Sequence, residues 1–171
     1  MNILVQGRSG EATGTLTYGE KTYACILGRS GIVTDKKEGD GGTPTGTYKL
    51  RYVYYRPDRI PAPHTALPIT ALTETMGWCD DPAHADYNRP VMLPFAASHE
   101  ELWRQDHVYD LILVIGHNDD PPVAGMGSAI FMHLQQPDQT PTAGCVALTQ
   151  GDMVDLLGRV SPDSEITIEL I

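Results

Sequence analysis

A histidine and a cysteine near the C-terminal end of the sequence have the types and the spacing of a base and a nucleophile. The stretch HLQQPDQTPTAGC runs from His133 to Cys145. A cysteine attacks as its thiolate, so at neutral pH it needs a neighbouring histidine that takes the thiol proton. We predict that His133 ends one strand and that Cys145 begins another. Because adjacent strands lie about 4.8 Å apart, the loop between them can bring the two side chains together.

The residues just before Cys145 fit the same chemistry. Gly144 has no Cβ, so a substrate carbonyl can approach the backbone closely. The backbone amides of Ala143, Gly144 and Cys145 are therefore candidates for an oxyanion hole, and the Thr142 hydroxyl is close to the same point in the sequence. The pattern alone leaves a structural interpretation open, because a Gly-Cys pair at the start of a strand also occurs without catalysis.

A metal site is the second kind of site that these residue types suggest. His117, His133 and Cys145 have suitable side chains, but no fourth ligand stands at a convincing spacing. We therefore expect no metal ion, and thiol chemistry of this kind needs no organic cofactor.

The motif resembles that of a known enzyme family. The stretch from His133 to Cys145, followed by VAL, is similar to the active-site motif of the L,D-transpeptidase (YkuD-type) catalytic domain. That motif consists of a histidine, a variable loop and then Ser/Thr-x-Gly-Cys. In this pattern His133 is the family histidine, Thr142 is the Ser/Thr, Gly144 is the glycine and Cys145 is the nucleophile.

Upstream segments extend the resemblance to roughly residues 20–160. KEGDGGTPTGTYKL, residues 37–50, is similar to the family's DGxTPxGxY/F loop and strand, and IGHNDDP, residues 115–121, follows in family order. Three features depart from the family pattern. Ala143 replaces a histidine that many members carry, Ala147 replaces an arginine or asparagine, and the loop before the cysteine is shorter than usual. These departures indicate a divergent branch.

The resemblance implies a mainly β fold, a single L,D-transpeptidase-like β-sandwich catalytic domain, acting on peptidoglycan stem peptides as donor and acceptor. Cys145 would attack the carbonyl at the L-centre of the third residue, a diamino acid, and expel the terminal D-alanine, with His133 as the base. The thioester would then pass to an amine of a neighbouring stem, giving a 3,3-type or an unusual 1,3-type cross-link.

Two other functions remain open for the same motif. If water attacks the thioester, the protein is a peptidoglycan hydrolase with L,D-carboxypeptidase or endopeptidase activity. If the thiol is unreactive, the protein is a non-catalytic cell-wall binding module on a transpeptidase-like fold.

Two further segments are predicted to contribute to the substrate cleft. We expect His117 to line the cleft near Cys145, although a histidine that caps the end of a strand by hydrogen bonds fits the sequence equally well. Asn118 and Asp119 are expected to contact the ammonium group of a diamino acid, although these two residues also form turns without further function. The proline-rich segment 57–68 is expected to be extended and to cover the cleft, where it restricts which stem position enters.

Length, charge and hydropathy limit the class of protein. A chain of 171 residues is expected to form one domain, residues 1–171. The net charge of −10 argues against nucleic-acid binding, which requires Lys and Arg to neutralise phosphates. We expect a monomer with no membrane span. The inferred function predicts a periplasmic location. No signal peptide is visible, so a cytoplasmic chain, a missing leader and another export route remain open.

The elements that position these residues are predicted to be mostly strands. GTLTYGEKTYACIL indicates a hairpin that turns at Gly19-Glu20, and residues 46–56 indicate a further strand. The apolar stretch 110–118 is predicted to be central, and residues 128–134 form the strand that carries the histidine. EITIELI closes the chain as a last strand with alternating apolar residues.

Two or three short helices complete the prediction. SHEELWRQ, residues 98–105, is predicted to begin a helix capped by Ser98 and Glu101. A second helix is expected after Cys145, with Thr149 as its cap. Its buried face is predicted to consist of Met153, Val154, Leu156 and Leu157.

The three cysteines leave at least one free thiol in the monomer. Cys25 and Cys79 lie in apolar surroundings, which favours buried, inert thiols. The sequence leaves open whether these two residues pair.

Overall fold

A large β-sheet forms the framework of the molecule. The computed structural model describes all 171 residues. Its one helix, α1, is Gln150–Leu157, and no helix has the length and hydropathy of a membrane span. The strands are β1 Ile3–Gly7, β2 Thr13–Tyr18, β3 Lys21–Ile26, β4 Ile32–Val33, β5 Thr43–Pro44, β6 Gly46–Tyr55, β7 Ile69–Ala71, β8 Met76–Cys79, β9 Pro90–Met92, β10 His99–Glu101, β11 Leu111–Ile115, β12 Phe131–Leu134, β13 Val146–Leu148 and β14 Glu165–Leu170.

The large sheet closes on itself. Its strand order is β11-β12-β13-β3-β2-β1-β14-β6-β7, and β11 also pairs antiparallel with β6. The strands from β11 to β6 therefore form a ring, with β7 outside it. The prediction of a mainly β fold is confirmed. The two layers of the predicted sandwich are parts of one continuous sheet.

The inside of this ring is the main hydrophobic core. Strands β1 and β14 pair in parallel, with Ile3 opposite Ile166 and Val5 opposite Ile168, and all four side chains are buried. Buried residues alternate with less buried ones along β1 and along the first half of β14, as expected when one face of each strand is buried. The hairpin of β2 and β3 was predicted correctly, because its turn and its alternation are both local signals.

Strand β11 is buried on both faces, which explains its continuous apolar sequence. All five of its residues are buried. Leu111, Leu113 and Ile115 belong to the main core, whereas Ile112 and Val114 belong to a second cluster of ten buried residues on the other side of the sheet. The prediction of a central strand here is confirmed.

A small sheet covers the second cluster. It has the order β10-β8-β9 and lies within residues 72–109, which we refer to as the β8–β10 segment. The predicted helix at 98–105 is wrong. Residues 99–101 pair with β8 instead, and the Ser98 hydroxyl donates to Asp80 Oδ1 at 2.6 Å. An eight-residue helix is marginal on its own, so strand pairing prevails here.

The structure has one helix rather than the two or three predicted. Helix α1 begins after Thr149, whose Oγ1 accepts a hydrogen bond from the Asp152 amide at 3.2 Å, so the predicted cap is confirmed. Met153, Leu156 and Leu157 are buried as predicted, but Val154 is 41 % exposed because it lies on the solvent side of the helix.

All three cysteines are free, and each is buried. Cys25 and Cys79 therefore do not form a disulfide, as their apolar surroundings indicated.

The DGGTPTG loop is a tightly bonded turn followed by a buried strand. Asp40 accepts hydrogen bonds from the amides of Lys37 and Gly42, both at 2.8 Å. Strand β5 then pairs with β4. The fully buried hydroxyl oxygen of Thr43 accepts a hydrogen bond from the Gly28 amide at 2.9 Å. This bond ties the loop to the segment that follows β3.

We expect Thr43→Val to lower the free energy of unfolding by about 1–3 kcal/mol, because the buried Gly28 amide then has no acceptor. Urea denaturation measures the change. Thr43→Ser keeps the hydroxyl and is expected to destabilise the protein less. Equal losses in the two variants would contradict a role for this hydrogen bond.

Candidate active site

Parallel pairing of β12 with β13 places Cys145 and His133 on one face of the sheet. His133 lies opposite Ala147 in the register, and Cys145 precedes Ala147 by two residues. Cys145 lies immediately before β13 and belongs to the second buried cluster. The His133 ring packs against Tyr109 of the same cluster, so the thiol and the imidazole face the same side of the sheet. Both line one cavity of about 360 Å³. The structure thus brings the two predicted residues together.

Backbone groups of the segment that leads into β12 hold the Cys145 thiol. Its Sγ–H donates to Ala129 O at 3.2 Å, and the Phe131 amide donates to Sγ at 3.3 Å. Burial raises the pKa of Cys145 to about 12, although the Phe131 amide acts in the opposite direction. The resting side chain is therefore a thiol at neutral pH.

The His133 ring is fixed in the tautomer that a general base requires. Nδ1 lies 2.9 Å from Leu134 O. A carbonyl oxygen only accepts, so Nδ1 carries the proton and Nε2 keeps its lone pair. Burial lowers the pKa of His133 to about 4, which keeps the ring neutral. Tyr109 packs edge-on against the ring, with centroids 5.4 Å apart.

The loop before Cys145 presents two amides without partners. Thr142 Oγ1 accepts from the Gly144 amide at 3.1 Å and donates to Cys145 O at 2.7 Å. The amides of Ala143 and Cys145 make no hydrogen bond within the chain. These two N–H groups are therefore available to an oxyanion, whereas the Gly144 amide, which the sequence also suggested, is already engaged.

The backbone of this loop packs directly against neighbouring backbone. The Thr142 amide donates to Leu27 O, and the Arg29 amide donates to Thr142 O, each at 2.9 Å. Leu27 and Arg29 both lie in the segment after β3. Gly144 has φ +138°, and a Cβ there would lie 2.8 Å from Gly42 O. Only glycine fits this conformation and this space. The DGGTPTG loop thus packs directly against the residue that precedes Cys145.

The β8–β10 segment supplies part of the cavity wall. Glu100 Oε1 accepts a hydrogen bond from the Tyr109 hydroxyl at 2.9 Å, which links β10 to the ring that packs on the histidine. Sequence reasoning missed these residues, because no local motif marks them and their placement depends on the pairing of the small sheet. The lining residues from this segment are Asp80, Glu100, Arg104, Val108 and Tyr109.

The charged side chains of the cavity lining that have no ion-pair partner are negative. The two cationic side chains in the lining have acidic partners, since Lys36 pairs with Asp40 and Arg104 pairs with Asp106. Three lining carboxylates form no ion pair and accept hydrogen bonds from hydroxyl groups. These bonds run from Tyr87 and Ser128 to Glu38, from Ser98 to Asp80 and from Tyr109 to Glu100.

Residues 117–119 do not line this cavity. The His117 ring packs edge-on against Tyr48 at 5.3 Å, and its buried Nδ1 has no hydrogen-bond partner. Asn118 has φ +50° and closes its own turn with hydrogen bonds to the loop backbone. Asp119 forms two 2.8 Å bonds to Arg51 and lines a separate cavity of about 320 Å³. The structure therefore does not bring these residues to the thiol.

The proline-rich segment 57–68 also lies elsewhere. None of its residues lines the cavity, and Ile60 and Leu67 are buried in the main core. These two apolar side chains anchor segment 57–68 to the ring. The β8–β10 segment lines the cavity instead, in the position that the sequence analysis predicted for segment 57–68.

Comparison with known proteins agrees with the motif. The sequence model of the L,D-transpeptidase catalytic domain, YkuD, matches residues 12–168. This range covers most of the chain and contains both Cys145 and His133. The chain therefore belongs to the L,D-transpeptidase catalytic domain family, and the predicted membership is confirmed. No curated protein and no solved structure gives a significant match.

Two buried, neutral histidines predict destabilisation in acid. Burial lowers the pKa of His117 and of His133 from 6.5 to about 4. Between these pH values the unfolded chain binds more protons than the folded chain. The stabilisation is therefore complete above pH 6.5 and is lost as the pH falls towards 4. The loss is about 3 kcal/mol per histidine at most.

Urea unfolding at about pH 7.5 and about pH 4.5 measures this loss. His133→Gln should reduce the pH dependence, whereas His64→Gln, at an exposed position, should not change it. Identical pH dependence in the wild type and in His133→Gln would contradict the assignment.

We expect Gly144→Ala to lower the free energy of unfolding by at least about 1–3 kcal/mol, because alanine is strained at this φ and contacts Gly42 O. Alkylation of Cys145 by iodoacetamide should change at the same time, because the loop must shift. Gly151→Ala is the matched control, since no atom lies within 4 Å of its added Cβ. Thermal unfolding and peptide mass spectrometry measure both effects, and a Gly144→Ala protein that behaves like the control would contradict them.

Proposed function

We propose that the protein is a cysteine-dependent L,D-transpeptidase that cross-links peptidoglycan stem peptides through a thioester on Cys145. One observation carries the proposal: the Cys145 thiol and the neutral His133 ring, whose Nδ1 carries the proton, line the same cavity as two residues with unpartnered amides, Ala143 and Cys145. Membership of the L,D-transpeptidase family supports the reaction class.

The first half of the reaction forms the thioester. As Sγ attacks the carbonyl carbon of the third stem residue, a diamino acid, His133 Nε2 takes the thiol proton. The amides of Ala143 and Cys145 stabilise the oxyanion, and one such donor is typically worth about 10²–10³ in rate. The tetrahedral intermediate then collapses. The bond to D-alanine breaks, and His133 returns the proton to the leaving amine.

The buried environment couples proton transfer to attack. The pKa of the thiol is about 12 and that of the imidazole is about 4, so a separated thiolate and imidazolium are unfavourable in the free protein. Negative charge becomes favourable when it reaches the substrate oxygen, where the two free amides donate to it. Reaction therefore requires a carbonyl group in the cavity.

The second half of the reaction transfers the acyl group to an amine. The neutral acceptor amine attacks the thioester carbon, His133 takes the proton of the amine, and the thiolate leaves and regains that proton. The product is a 3,3-type link, or a 1,3-type link that joins L-alanine at position 1 to a diamino acid. Such substrates lie outside the cytoplasmic membrane, so we propose a periplasmic site of action.

The unpaired carboxylates of the cavity favour substrates that carry ammonium groups. Glu38, Asp80 and Glu100 have hydroxyl donors but no cation. Burial raises the pKa of Glu100, and a bound cation would stabilise its charged form. The amino group of a diamino acid supplies such a cation.

The test is mass spectrometry of purified muropeptides after incubation with the protein. We expect the wild type to form dimers and to carry a thioester adduct on Cys145. Cys145→Ala should form neither, because the nucleophile is absent. His133→Gln should lose about 10²-fold or more in rate, because no base takes the thiol proton. Cys25→Ala, which removes a buried thiol of the main core, is the matched control and should retain activity.

The products distinguish the alternatives. Shortened monomers without dimers would indicate that the protein is a hydrolase and not a transpeptidase, with water as the acceptor of the acyl group. No product, together with a Cys145 that reacts no faster than free cysteine, would indicate a binding module. Fragmentation of a dimer identifies the linked residues and therefore the cross-link type.

A further inference from the structure

We propose that Asn88, which lies outside the catalytic cavity, is a positioning residue for the Cys145 thiol. It acts through the backbone of Ala129, whose carbonyl accepts the thiol hydrogen. The catalytic meaning of this proposal rests on the proposed function, but the reactivity of the thiol can be measured without any substrate.

Asn88 is a buried residue whose amide uses all of its hydrogen-bonding capacity. Only 4 % of it is exposed. Its Oδ1 accepts from Trp78 Nε1 and from the Ala129 amide, both at 3.0 Å. Its Nδ2 donates to His117 O at 3.0 Å and to Asn118 O at 2.7 Å. Two donors and two lone pairs are therefore all engaged. This one side chain joins the β8–β10 segment to both ends of the loop between β11 and β12.

Ala129 is held in a backbone conformation that alanine adopts at a cost. Its φ is +52°, in the left-handed region, which costs a non-glycine residue about 1–2 kcal/mol. Its amide is bound to Asn88, and its carbonyl oxygen lies 3.2 Å from Cys145 Sγ. The hydrogen bond from the Ala129 amide to Asn88 fixes the N–H end of Ala129. The backbone dihedral angles of Ala129 then set the direction in which its carbonyl points.

The direction of the Ala129 carbonyl affects the thiol directly. A carbonyl oxygen accepts from the thiol but repels the thiolate, so this bond favours the protonated side chain. It also fixes where Sγ lies relative to His133 and to the free amides. Without the bond from Asn88, the Ala129 peptide can relax from its strained conformation. The thiol then loses both an acceptor and its position.

Three single changes separate positioning from a general role in folding. Asn88→Gly removes the side chain without straining the backbone, because φ at this position is +56° and glycine adopts such values freely. Replacement of Ala129 by lactic acid removes only its N–H and leaves the other three bonds of Asn88 in place. Trp78→Phe is the matched control, since it removes the other donor to the same Oδ1 and leaves the Ala129 bond.

The measurement is the rate of iodoacetamide alkylation at Cys145 at about pH 8, followed by mass spectrometry of the peptide that contains it, with melting curves for each variant. We expect the alkylation rate to rise about tenfold in Asn88→Gly and in the lactic acid variant, since loss of about one hydrogen bond to the neutral thiol raises the thiolate fraction by that factor. In the cross-linking assay, kcat should fall about tenfold or more while KM stays within about threefold, because Asn88 does not contact the cavity. Trp78→Phe should retain the wild-type alkylation rate.

A folded Asn88→Gly protein with the wild-type alkylation rate and kcat would overturn the proposal. If Asn88→Gly does not fold, the lactic acid variant decides in the same way. An equal rise in the alkylation rate of Trp78→Phe would also overturn it, because any disturbance of the β8–β10 segment would then suffice. A raised alkylation rate in a protein that cross-links no muropeptide would support the positioning role and reject the proposed function.

Discussion

The parallel register of β12 and β13 is the constraint on which the rest of the site depends. It places His133 opposite Ala147, and therefore places the thiol two residues away on the same face. A shift by one residue would turn one of the two side chains to the opposite face and separate the imidazole from the thiol. Closure of the ring fixes this register, because β12 lies between β13 and the doubly buried β11. The close contact of Gly144 with Gly42 then fixes the loop between the strands.

Burial gives the site its chemical character. Cys145 is 7 % exposed and His133 is 6 % exposed, so both are neutral at rest. A neutral thiol with a raised pKa reacts slowly with small oxidants and electrophiles, since the thiolate is the reactive form. In the proposed reaction the thiolate is therefore generated only during attack. The two amides without partners would stabilise the charge only when a substrate oxygen is present.

Sequence reasoning succeeded where the determinants are local and failed where distant segments decide. The motif from His133 to Cys145, the β2–β3 hairpin and the Thr149 cap each depend on residues close in sequence. The helix predicted at 98–105 gave way to pairing with β8, and residues 117–119 are turn and core residues of the ring. Asn88 and Glu100 carried no signal, because a polar residue in a loop or on a short strand acquires its role only from the segments that pack on it.

The β8–β10 segment touches the cavity and the backbone that holds the thiol. Its carboxylate Glu100 lines the cavity and accepts a hydrogen bond from the tyrosine that packs on His133. Its amide side chain Asn88 accepts a hydrogen bond from the Ala129 amide, and the Ala129 carbonyl accepts one from the thiol. The ring carries Cys145 and His133, whereas this separate segment supplies contacts to both. If the two proposals hold, changes in this one segment alter substrate preference and thiol reactivity together.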